Sequence, residues 1–191
     1  MRKETYPRLL TITSLVLLIV VSRFIPHPPN FAPVMSMALF GGAAFADKRL
    51  AFLIPLVAMF VSDIFLGFYA LLPVVYLCYV VVVFLGFSMR NKITTGKIVS
   101  NSIMSSLLFF FVTNFAYWLF SGAYPMNLNG LTMCFTAAIA FYKYPALGIE
   151  TSFLLNTLFG TLLYSGALFG GLHIAEKFIP QVKLSPIEVT K

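Results

Sequence analysis

The chain has 191 residues, 60% of them apolar and 10% charged, with a mean hydropathy of +0.93. Soluble domains carry about 25% charged residues, which excludes a water-covered surface of ordinary size and leaves lipid as the main surroundings and partner. The formal charge of +7 falls on the flanks of apolar segments instead of gathering on one face, so it is a topology signal and no nucleic-acid partner is expected. Two cysteines with no Cys/His spacing support neither a disulfide framework nor a zinc, haem or iron–sulfur site, so no metal or cofactor is expected.

Crossing about 30 Å of hydrocarbon takes roughly 20 helical residues. The first apolar stretch, residues 9–25, lies between Arg2, Lys3 and Arg8 and the run Pro26-His27-Pro28-Pro29, which no helix continues through. It lacks a small-x-small cleavage pattern and is expected to stay on the chain as a span. Residues 31–46 form a shorter second span rich in small residues and end at Asp47-Lys48-Arg49. Residues 50–89 contain a single charge, Asp63, and read as two spans, 50–68 and 71–89, with a break between Gly67 and Pro73. Residues 98–121 and 149–175 complete six spans. The apolar run 131–142, about 18 Å long, is too short to cross and reads as a re-entrant or interfacial helix. The predicted fold is an all-α, polytopic membrane bundle in a single domain.

With six spans both termini share a side. That side then holds Arg2, Lys3, Arg8, Lys48, Arg49, Arg90, Lys92, Lys97, Lys177, Lys183 and Lys191, leaving Arg23 and Lys143 for the other. The positive-inside rule places both ends in the cytoplasm of an inner membrane.

Charges inside a bilayer are costly and face a partner or a cavity. Counting along their helices puts Arg23 and Asp63 at a similar depth, roughly 20 Å from the cytoplasmic end, with Glu150 and His27 in the same layer. Two readings stay open: an outward-facing polar pocket, or a pair that neutralises itself. In the fifth span Asn114, Tyr117, Trp118 and Ser121 share one helical face, and an amide, a phenol and an indole there suit a ligand wall or an aromatic belt. Asn156 is expected to partner Asn114 or to add a second pocket amide. Gly166 and Gly170, a GxxxG step, and the run Gly41-Gly42-Ala43-Ala44 are expected at close helix contacts. Cys78 and Cys134 read as small apolar side chains. The minimum sets for metal-assisted hydrolysis, acyl transfer and ATP hydrolysis are missing, so no enzyme is expected.

The segments 23–33 (RFIPHPPNFAP), 38–42 (ALFGG) and 62–68 (SDIFLGF), followed by 113–118 (TNFAYW), Tyr124-Pro125, Asn129-Gly130-Leu131 and Leu158-Phe159-Gly160, resemble a family of bacterial membrane proteins labelled as transport proteins. In size and six-span layout that family is similar to the substrate-binding S components of energy-coupling-factor transporters. The resemblance implies uptake of a vitamin-like solute bound near the outer side, with a coupling membrane subunit and two ATPases as partners.

The expected pocket lies between the proline-rich loop 26–33 with His27 and Asn30, the Asp63 end of the third span, and the face carrying Asn114, Tyr117 and Trp118. Arg23 is expected to hold an anionic or polar group, Asp63 to orient it, and Tyr117 or Trp118 to cover a ring. The alternatives are a proton-coupled secondary transporter with Asp63 as the proton site, and a non-transporting membrane scaffold.

Overall fold

The computed structural model describes residues 5–183. Seven α-helices build it: α1 (Tyr6–Val21), α2 (Val34–Ala44), α3 (Lys48–Leu66), α4 (Leu72–Phe87), α5 (Thr95–Phe120), α6 (Leu128–Ile139) and α7 (Phe153–Phe178). Four of them are long and apolar enough to cross a membrane: α1 together with the 3-10 turn Ser22–Phe24, then α3, α5 and α7. The other three are shorter apolar helices, about 16 Å for α2, 24 Å for α4 and 18 Å for α6. The outward faces carry Leu18, Phe65, Phe84, Phe111 and Phe159, all exposed, a surface that only hydrocarbon covers without cost.

Local chemistry sets the helix ends. The side chains of Asp47, Thr94, Asn127 and Ser152 accept from backbone N–H groups in the first turns of α3, α5, α6 and α7, satisfying donors that a helix start leaves unpaired. Gly67, at a φ of 94°, stops α3; Pro73 then opens α4, where a missing N–H costs nothing.

Helix α2 is buried at all of its positions and forms the axis of the bundle. Its glycines allow this. A Cβ on Gly42 would stand 2.2 Å from the Val83 carbonyl oxygen, and one on Gly86 would stand 2.4 Å from that of Leu39. A Cβ on Gly41 would lie 2.8 Å from the Ala51 carbonyl oxygen of α3. The expected close contact of residues 41–42 is therefore present. Gly166 and Gly170 differ, because nothing lies within 4 Å of where their Cβ atoms would be; their GxxxG step has no helix opposite it.

Two further expectations are corrected. Tyr142–Tyr144 and Ile149–Thr151 pair as antiparallel strands, β1 and β2, with Lys143 opposite Glu150. Glu150 thus lies on an exposed hairpin, not at the start of the last span, which opens at Phe153 behind the Ser152 cap. The Gly148 turn, at a φ of 64°, lets the chain reverse there instead of continuing into helix.

The bundle has two unlike ends. One holds Lys48, Arg90, Lys97 and Lys177, where Arg8 is fully buried and not a solvated flank. Its Nη1 donates to Glu176 Oε1 at 2.6 Å and to the Val182 carbonyl at 2.8 Å, and its Nη2 donates to the Ala44 carbonyl at 3.1 Å. Arg90 Nε donates to the Gly42 carbonyl at 2.8 Å while its guanidinium stacks on Phe87. Two arginines thus close the C-terminus of α2, where cations are favoured. The far end holds Arg23, Asp63, His27 and the hairpin.

Candidate functional site

The turn Ser22–Phe24 ends α1, with Ser22 Oγ donating back to the Ile19 carbonyl at 2.7 Å, and swings Arg23 toward α3. Arg23 Nη2 donates to Asp63 Oδ1 at 2.5 Å, and Nη1 donates to Ser62 Oγ and to the Met59 carbonyl. Tyr76 of α4 donates its phenol to Asp63 Oδ2 at 2.8 Å. The side chains of Arg23 and Asp63 are 11% and 2% exposed, so both carboxylate oxygens and much of the guanidinium are committed inside the protein. The two charges, which residue counting sets level with each other, are in direct contact.

Residues 26–33 cross the far end as a strap. Asn156 of α7 donates Nδ2 to the Pro29 carbonyl at 2.8 Å and accepts from Thr151 Oγ1. A Cβ on Gly160 would lie 3.1 Å from the Cα of Phe31, so the strap rests on α7. Asn30, at a φ of 66°, takes the left-handed turn that asparagine tolerates.

Three hollows surround the strap. The inner one, about 160 Å³, is lined by Arg23, Asn30, Tyr69, Thr157, Thr161 and the first turn of α2. The outer one, about 350 Å³, lies between α5, α6 and the start of α7, with Asn30, Asn114, Tyr117, Tyr124, Cys134 and Phe153 in its wall. Asn30 belongs to both. The third, about 330 Å³, is on the other side of the strap and holds His27, Tyr144 and the opposite flank of Arg23. A fourth hollow, about 510 Å³ and larger than these three, is an apolar crevice between α1 and α3 and carries none of the amides or charges.

Around Asn30 the structure therefore brings together Arg23, Asn114 and Tyr117, with Asp63 directly behind Arg23. It does not bring the other candidates there. Trp118 turns away, donating Nε1 to the Pro125 carbonyl at 2.9 Å and packing on Phe115. Asn156 is the strap's clamp, and Asn114 is satisfied by its own helix, Nδ2 donating to the Phe110 carbonyl, so the two amides are not partners. His27 faces the third hollow, with Nδ1 3.0 Å from the Pro28 carbonyl, and Glu150 stays on the hairpin.

Sequence reasoning missed Ser62, Tyr69, Tyr76, Tyr124, Thr157 and Thr161, and it took Cys134 for filler. Tyr76 carried a signal, being one of two phenols, with Tyr79, in an otherwise apolar helix next to the lone carboxylate of its hairpin. Burial, and then the Asp63 carboxylate, raise the Tyr69 phenol above its ordinary value; burial also raises Tyr124. Both are neutral hydrogen-bonding groups at physiological pH.

A bundle with four apolar helices long enough to cross a membrane is that of a membrane protein. Over residues 3–182 the chain matches the model of the family of unknown function DUF6580, and it belongs to that family. No curated protein matches it. No solved structure matches it either.

Proposed function

We propose that this is a solute-binding or transport protein of an inner membrane, whose pocket is the pair of hollows joined at Asn30 and opens at the far end of the bundle. The observation that carries the reading is two hollows that share Asn30 in their walls, where amides, phenols and hydroxyls line space of ligand size; at the membrane depth this reading gives them, an exposed polar wall is expensive unless used. In this reading α1, α2, α3, α4, α5 and α7 make six passages, and α6, which runs back along the outer half of α5, re-enters without crossing. The positive-inside rule then sets the basic end and both termini in the cytoplasm, and the hollows face outward.

The chain has no nucleotide-binding motif, so uptake needs outside energy. An S-component-like role, with a coupling membrane subunit and two ATPases, is the form that the sequence resemblance supports; a proton gradient acting through Asp63 is the other. The fully engaged Arg23–Asp63 pair favours a second reading, a scaffold in which that pair only holds helices together.

Small molecules retained by protein purified in mild detergent, analysed by mass spectrometry, test the proposal. A specific compound held by the wild type and lost in Asn114→Leu, with unchanged thermal stability, is expected. No retained compound, together with stable recovery of another membrane protein, overturns it in favour of the scaffold. Co-purified ATPases separate the energy-coupled form from the gradient-driven one.

A further inference from the structure

The pocket that the proposed function rests on is electrically balanced, and we infer that its solute is a polar molecule without net charge. The wall of the outer hollow contains no Asp, Glu, Lys, Arg or His: its polar members are Asn30, Asn114, Thr113, Tyr117, Tyr124 and the Cys134 thiol. The inner hollow has one charged wall residue, Arg23. Its charge is matched by Asp63 at 2.5 Å, and Tyr76 fills the other carboxylate oxygen. A pair this close presents a dipole to the cavity, and a dipole's field decays faster with distance than that of a lone charge. Lys143 and Glu150, also at the far end, oppose each other on the exposed hairpin, and His27, on the strap itself, lines the third hollow.

A charged solute therefore finds no counter-charge in these hollows that is not already paired. An anion at the accessible edge of Arg23 would share that cation with Asp63, which already offsets its charge and is itself 2% exposed, and drawing Arg23 away from Asp63 would leave a buried carboxylate uncompensated. The wall has donors and acceptors without a fixed charge, the complement of amide-like or hydroxylated molecules.

Cys134 makes this measurable without knowing the solute. In a Cys78→Ala chain, the folded protein is treated separately with hydroxyethyl, sulfonatoethyl and trimethylammonioethyl methanethiosulfonate, which are neutral, anionic and cationic. Each rate is divided by that reagent's rate with free 2-mercaptoethanol. The neutral reagent is expected to exceed both charged ones by about tenfold or more. Asp63→Asn, which unmasks Arg23, is expected to raise the anionic-to-neutral ratio several-fold. Thr157→Cys in a chain lacking both native cysteines reports the same ratios from the inner hollow and covers the case in which Asp63→Asn does not fold. An anionic or cationic rate equal to or above the neutral one in the wild-type wall overturns the inference and leaves the pocket intact. No reaction with any reagent in the folded protein, against full reaction after denaturation, removes the pocket itself and the proposed function with it.

Discussion

Gly42 of α2 and Gly86 of α4 meet back to back, so that a Cβ on either would come within 2.9 Å of the other's Cα. The atoms in the way are backbone, which cannot swing aside as a side chain can. Gly86→Ala is therefore expected to cost about 3 kcal/mol or more, read as a lower melting temperature or loss of the monodisperse peak in detergent. Gly166→Ala and Gly170→Ala meet nothing within 4 Å, and replacing a mid-helix glycine there is expected to be neutral or stabilising by about 0.5 kcal/mol. Equal losses at all these positions would contradict the packing described.

The pair Arg23–Asp63 is largely buried, with side chains 11% and 2% exposed, so breaking it from either side leaves a poorly solvated charge. Asp63→Asn and Arg23→Gln are each expected to lower stability by about 3 kcal/mol. The double substitution Arg23→Leu with Asp63→Leu should recover much of that loss, because the desolvation cost disappears with both charges. Thermal melts of the wild type and the three variants check both outcomes.

Arg8 holds three partners on α2, α7 and the segment after it, a forked arrangement that a single ammonium cannot reproduce. Arg8→Lys is expected to destabilise nearly as much as Arg8→Leu, by about 3 kcal/mol. Glu176→Gln should cost much less, since the Glu176 side chain is 31% exposed and water replaces part of the pair. A harmless Arg8→Lys in detergent melts would show that only the charge matters.

Asn156 is expected to act on the strap, not on the solute. Asn156→Ala removes the donor to the Pro29 carbonyl and the acceptor for Thr151, at a cost of about 1–3 kcal/mol. Because the strap bounds both hollows through Asn30, the same substitution should speed modification of Cys134 by a neutral thiosulfonate. Unchanged kinetics would mean that the strap is held elsewhere.

The shared level of Arg23 and Asp63 was legible in the sequence and the rotation of the helices was not. A rise of about 1.5 Å per residue is enough to set Arg23 level with Asp63, and the apolar runs located every helix. Which way a side chain faces depends on neighbours that no spacing rule supplies. Tyr117 reaches the hollow while Trp118, one residue on, is about 100° round the helix and finds Pro125. Gly41, Gly42, Gly166 and Gly170 carry the same signal, but only the first two have a helix opposite. The hairpin was hidden because Ile149 extends the apolar run of α7, although Ser152 already offered a cap at the true start of that helix. Arg8 looked like any basic flank because burial of its guanidinium depends on Glu176 and Val182, far along the chain.

Helix α2 has no side to show to hydrocarbon, and at about 16 Å it is too short to settle alone across a bilayer. Its stability during synthesis must come from other protein. The carbonyls at its end are closed by Arg90 and by an arginine that itself waits for Glu176 and Val182. The central rod of the bundle is thus among the first segments translated and among the last to be seated. Nascent chains halted before residue 176 should hold it loosely, open to the quality-control machinery that patrols the membrane.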